Sequence, residues 1–365
     1  MRVLIASGAG GGTAKGRIGK YFHLKEFGEA LKKLGVEYKL VSETDYATGF
    51  PSRHVRDWLP YNRKFKKLID DFKPDVIFVD RQAHFGLQAI KAKIPLFVYL
   101  RGNYWMEVDM AKKTIYKDPL MRTVLWLRHR IAEKVFRNCA GVFMTADYLN
   151  DVIKKYHPNT KTYHFLEGIN ASHWYPTKQM ELKHPCVGIL QDANWWGKTK
   201  EMLTLDKVIE NMSDVTFYWA GDGQYKDKIL PVLEKHKNFR WLGSLEYPDK
   251  VREYLSTIDV YALPTGMDTT PLSSREAQLM ERPVVATRIG GIPEVVMDKK
   301  TGFLVAEGDY NAWIESIRLL VSNKDLAVQM GKAGRQFIVE NYNWAIVAKR
   351  FIDAVNEYLS NKKSR

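Results

Sequence analysis

Two carboxylates separated by seven residues, Asp268 and Glu276, stand in the stretch 263–287, Leu-Pro-Thr-Gly-Met-Asp-Thr-Thr-Pro-Leu-Ser-Ser-Arg-Glu-Ala-Gln-Leu-Met-Glu-Arg-Pro-Val-Val-Ala-Thr. Pro271 and the residues after it follow an apolar run that reads as a strand and open a run that reads as a helix. The first backbone N–H groups of a helix have no acceptor within it. Leu272 and Ser273 therefore offer theirs to an anion such as a phosphate. Glu276, one turn further on, suits two adjacent hydroxyls, and Asp268 at the mouth of the preceding loop suits the hydroxyls of a second group. Near the start, Gly10, Gly11 and Gly12 form a loop whose bare backbone permits close approach of a ligand. That loop is neither the dinucleotide fingerprint, because Thr13 replaces its last glycine, nor a phosphate loop, because no Gly-Lys pair closes it. The chain has no Asp-x-Asp pair to hold a divalent cation against a diphosphate, so no metal and no bound cofactor are expected.

These groups need a scaffold, and the chain supplies one twice. Residues 1–7, 37–41, 75–80 and 95–100 are short apolar runs that read as strands, separated by helical segments such as 21–34, which stops at Gly35. After a polar, proline-marked stretch the rhythm restarts at 186–190, 215–220, 239–242, 260–263 and 283–287. Continuously apolar strands alternating with helices predict α/β domains with parallel sheets covered on both faces. The expected division is a first domain over 1–175, a linker over 176–185, a second domain over 186–343, and a last helix over 344–365 that packs back toward the first. Such tandem doubly wound domains place ligands outside the carboxyl ends of their strands.

At 365 residues and 45% hydrophobic content the chain can bury two cores. The start is too short in apolar residues for a signal peptide, and no window approaches the ~20 apolar residues of a membrane span, so a cytoplasmic location is expected. Cys139 and Cys186 sit among apolar neighbours and read as structural thiols. The formal charge of +14 is lopsided: residues 1–175 hold 30 Lys+Arg against 17 Asp+Glu, and residues 176–365 hold 26 against 25. A basic half attracts an anionic partner. Two stretches mix cations with aromatic residues. One, 53–69, carries Arg63, Lys64, Lys66 and Lys67 with Trp58, Tyr61 and an exposed-looking Phe65. The other, 112–137, carries Trp126 among Arg122, Arg128 and Arg130. Both suit peripheral contact with an anionic membrane or a phosphate-bearing acceptor. A nucleic-acid partner would leave the 268–294 block without a role.

That block, continuing to Gly290-Gly-Ile-Pro-Glu294, resembles the donor-site signature of the retaining family 4 glycosyltransferases, also called glycosyl transferases group 1. The likeness extends through 220–223, 239–243, 301–305 and 342–344 in the same order. It implies a GT-B fold, two tandem Rossmann-like domains facing across a cleft, that moves a hexose-type sugar from a nucleotide sugar to a carbohydrate or lipid-linked acceptor. It also implies site roles. Glu276 would bind the ribose, Pro271, Leu272, Ser273 and Gly243 would line the donor site, and Asp268 would orient the sugar. Asp268 stands where the family usually has Glu. The family's phosphate-clamping arginine is missing, since Ile189 follows Gly188; Lys200 fits the lysine position and Lys198 supplies a second charge. Arg101 occupies the region after the fourth strand where the family often carries His. The two departures also admit a weakened homologue that binds nucleotide sugar without turnover.

Overall fold

The computed structural model describes residues 1–8, 18–46, 63–114 and 116–363. Gly10, Gly11, Gly12, Trp58 and Tyr61 lie outside them. The described chain divides into two compact units, Met1–Ile169 with Trp344–Arg365, and Asn170–Asn343.

In the first unit the chain runs β1(Arg2–Ser7), α1(Ile18–Lys33), β2(Glu37–Ser42), α2(Glu43–Tyr46), α3(Arg63–Phe72), β3(Val76–Val79), α4(His84–Lys91), β4(Leu96–Leu100), α5(Tyr104–Thr114), α6(Pro119–Asn138), β5(Gly141–Met144), α7(Tyr148–Tyr156) and β6(Thr162–His164). The strands form one parallel sheet in the order β2-β1-β3-β4-β5-β6. Strands β3, β4 and β5 are buried along their whole length, as their content without a charged residue permits. Helix α1 ends where Gly35 takes φ +79°. There the Val36 N–H donates to the Leu31 carbonyl and the Gly35 N–H to that of Lys32, a Schellman closure that only a residue tolerant of positive φ completes cheaply.

The second unit runs β7(Cys186–Leu190), α8(Trp196–Thr199), α9(Leu205–Glu210), β8(Thr216–Ala220), α10(Lys226–Leu233), β9(Phe239–Gly243), α11(Asp249–Thr257), β10(Val260–Leu263), α12(Leu272–Leu279), β11(Val284–Thr287), α13(Ile292–Val295), β12(Gly302–Val305), α14(Tyr310–Ser322) and α15(Lys324–Asn341). Its six strands are also parallel, in the order β12-β11-β10-β7-β8-β9. The stretch 176–185 lies along this unit. The Thr177 and Met180 N–H groups donate to the hydroxyls of Ser256 and Thr257, and the Lys183 N–H donates to the Tyr218 hydroxyl. Both cysteines are unpaired, and burial pushes each thiol up to about 12, as suits structural residues.

The last helix, α16(Trp344–Lys363), completes the first unit. Trp344, Val347, Ala348, Phe351 and Val355 recur at helical spacing and join a core with Phe27, Phe78 and Phe143. The Phe351 ring lies 5.2 Å from Phe27 and 5.1 Å from Phe78. A side chain at Gly168 would overlap the Trp344 indole. Among the described residues no helix is long and apolar enough to cross a membrane.

Candidate active site

In the second unit the strand order reverses between β7 and β10, its first and fourth strands. A crevice opens outside the carboxyl ends at such a switch point, because the two following loops run off to opposite faces. The loop after β7 leads into α8 with Lys198, and the loop after β10 leads into α12 with Asp268. Gly266 lets these loops touch: its N–H donates to the Lys198 carbonyl at 3.1 Å, and a Cβ there would overlap the Gly197 carbonyl. The Lys198 Nζ lies 2.7 Å from the Asp268 carboxylate. Burial works against the ammonium charge, yet the Asp268 carboxylate, with Asp192 beyond it, holds Lys198 above its ordinary range.

Helix α12 begins at the same edge. Pro271 occupies its cap with extended φ/ψ, and the Leu272 and Ser273 N–H groups open the first turn. The Ser273 hydroxyl accepts from the Tyr261 O–H at 2.7 Å, which ties the helix start to β10. Glu276 is only 4% exposed. Burial pushes its carboxyl up to about 7, against the lowering effect of a hydrogen bond from the Tyr247 O–H at 3.2 Å. A buried carboxyl with one short-range donor has acceptor capacity left for a ligand's hydroxyls. Beside it Arg275, fully buried, donates to the Thr270 carbonyl at 3.1 Å and lies 5.3 Å from the Tyr342 ring. It thereby fixes the 268–271 loop from beneath.

Lys200 is half-exposed and pairs with Glu307 at 2.9 Å. Ile189 is fully buried in the core, so β7 carries no charge there and the cations of this edge come from the next loop. Gly243 ends β9 with φ +69°, a left-handed backbone that favours glycine, and a Cβ there would meet open space.

Arg101 belongs to the first unit, at the end of β4. Its Nη2 lies 3.0 Å from Glu167 and its guanidinium 4.8 Å from the Tyr99 ring. Burial disfavours the charge, but Glu167 more than restores it. That unit has its own switch point between β1 and β3. There Asp80 accepts from the Gly8 N–H and from the Ser7 hydroxyl, and Glu43, 5% exposed, is held well above the usual carboxyl range by burial and by the Asp80 charge. On α3, Arg63, Lys64, Lys66 and Lys67 are exposed as expected, but Phe65 is not. It is buried against Phe85 at 5.0 Å, because Phe65 and Leu68 form the apolar stripe that seats this helix.

Sequence reasoning passed over Tyr247, Arg275, Glu43, Asp80 and Glu167. Only Arg275 carried a local signal, a cation inside a small-residue helix beside a candidate ligand. The others are assembled from distant segments.

Residues 191–323 match the family model described as Glycosyl transferases group 1. The sulfoquinovosyl transferase SQD2 of Arabidopsis thaliana is 31% identical over 151 residues, 40% of this chain and 29% of that protein. The alpha-maltose-1-phosphate synthase of Mycolicibacterium smegmatis is 34% identical over 119 residues, 31% of each chain. The chain thus spans about three-tenths of these relatives' length. The fold aligns over nearly the whole chain. Sucrose-phosphate synthase from Thermosynechococcus elongatus superposes with TM-score 0.77 at 16% identity, covering 99% of this chain and 100% of that one. HepE of Anabaena, solved with UDP and glucose, superposes with TM-score 0.70 at 13% identity, covering 97% and 99%. The two parallel six-stranded units have the GT-B fold, and the segment 191–323 carries the likeness to the glycosyl transferases group 1.

Proposed function

We propose that this protein transfers a hexose-type sugar from a nucleoside-diphosphate sugar to an acceptor, with retention of configuration. The observation that carries the reading is the convergence of Lys198, Asp268, Glu276 and the open N–H groups of α12 on one switch-point edge. Each part has a task. The Leu272 and Ser273 N–H groups receive a donor phosphate, Glu276 accepts from the ribose diol, and Asp268, oriented by Lys198, accepts from the sugar. The relatives' names, which include sulfoquinovosyl transfer and maltose-1-phosphate synthesis, and the UDP and glucose in HepE agree with such a donor.

In the reaction the bond between the anomeric carbon and the phosphate oxygen breaks, and its electron pair leaves with the diphosphate. Lys198 and Lys200 offset that charge, the part a cation plays elsewhere. The acceptor oxygen bonds to the same face, and its proton passes to the departing phosphate oxygen. Metal independence follows as part of the proposal, from lysines at the site and the lack of an Asp-x-Asp pair in the sequence. The basic first unit takes the acceptor, with Arg101 held in place by Glu167.

A melting-temperature screen against nucleotide sugars differing in base and sugar, followed by donor hydrolysis, tests the reading. A donor that raises the melting temperature and is slowly hydrolysed supports it. Binding without hydrolysis or transfer supports the weakened homologue, and no shift with any diphosphate nucleotide overturns the donor site.

A further inference from the structure

Helices α5 and α6 flank a cavity of about 710 Å³ that the donor chemistry does not use. Val108 and Leu125, both buried, and the indole of Trp126 give it apolar walls, and Lys112, Lys113, Lys117 and Arg122 surround them. Trp126 is 55% exposed, and Leu120, in the first turn of α6, is 74% exposed. Arg130, one turn beyond Trp126, lies with its guanidinium 5.3 Å from that ring. Residues 104–138 hold eight Lys and Arg against four Asp and Glu, so the face is cationic. Several of those carboxylates have local duties. Asp109 pairs with Lys112, Asp118 caps α6 by accepting from the Met121 N–H, and Glu133 accepts from the Trp105 indole and pairs with His157.

We propose that the α5–α6 face docks on an anionic lipid bilayer. It deepens the acceptor side of the proposed transfer, although its test needs no turnover. Charge complementarity selects the partner's sign, and the apolar groups select its class. A polynucleotide or an acidic peptide would meet the cations but leave Leu120 and the apolar walls in water. A bilayer accommodates both at once, with the indole and leucine at the acyl boundary and the ammonium and guanidinium groups among headgroup phosphates. Helix α3 makes the contrast: its four cations are exposed, but of its two aromatic residues Phe65 is buried in the core and Phe72 packs against it. That helix adds charge without an apolar edge.

The test is sedimentation of the full chain with phosphatidylcholine vesicles, with and without phosphatidylglycerol. Binding is expected only with the anionic lipid and should fade as salt is added. Reversing Lys113→Glu, Lys117→Glu and Arg122→Glu together should weaken partitioning on the order of 10²-fold or more, since each basic residue near the surface adds roughly fivefold. Brominated lipid should quench part of the tryptophan emission of the wild type, and Trp126→Phe should remove that part while still sedimenting. An unchanged melting temperature in both variants certifies folding. Equal binding to neutral vesicles, sedimentation unaffected by the triple reversal, or quenching unaffected by Trp126→Phe would overturn the proposal. So would single-stranded RNA that binds the wild type while anionic vesicles do not, an outcome that leaves the donor-site reading intact.

Discussion

Lys198 and Asp268 come from loops that follow the first and fourth strands of the second sheet, and their charged groups meet at 2.7 Å. Only a sheet whose order reverses between those strands brings residues 70 positions apart to one edge. The pair is partly buried, so it orients Asp268 while leaving it reachable. Replacing Lys198 with Ala should lower kcat on the order of 10²-fold through lost leaving-group stabilisation. Asp268→Asn should mainly lower kcat/KM for the cognate sugar. A double-mutant cycle that returns additive effects would show that the two do not act as a unit.

Glu276 couples binding to stability. Burial raises its carboxyl to about 7 from the ordinary 4.5, so the folded state holds the proton more tightly than the unfolded chain. The resulting stability is fully present below pH 4.5, falls as pH rises between about 4.5 and 7, and is absent above. The full span is about 3 kcal/mol. Glu276→Gln keeps an acceptor for Tyr247 and cannot ionise. It should therefore raise the melting temperature of the unliganded protein at pH 8 and weaken diphosphate-nucleoside binding by about 1.5–3 kcal/mol. Calorimetry at pH 8 measures the first effect and titration the second; a variant that binds nucleotide as the wild type does would remove Glu276 from the site.

Turnover should persist in EDTA if, as proposed, Lys198 and Lys200 balance the departing diphosphate. Loss of turnover restored by magnesium or manganese would move the charge balance from Lys198 and Lys200 to a metal.

In the first unit, Arg101 and Glu167 are a mostly buried pair at 3.0 Å. Removing one partner leaves the other charge in a poor solvent. Glu167→Gln should cost about 3 kcal/mol, and the double change Arg101→Leu with Glu167→Leu should recover much of it. Urea denaturation at constant m-value distinguishes these outcomes.

The sequence alone determined the repeating strand and helix rhythm, because strands buried on both faces must be apolar throughout and helices must show their stripe. It also determined the 263–287 block, in which strand, loop, helix start and carboxylates are contiguous, so that α12 and Glu276 follow from local rules. Tertiary structure decided what contiguity cannot. Strand order set which loops meet, and with it the Lys198–Asp268 pair and the partnership of Tyr247 with Glu276 across 29 positions. Packing turned Phe65 inward from a stretch whose charges made it look exposed, and left Trp126 outside, because composition does not state which side of a helix has a neighbour. It likewise gathered Glu43, Asp80 and Gly8 at the first unit's own switch point. Their proximity depends on the pairing of β1 with β3, a contact between segments about 70 residues apart that no local preference encodes.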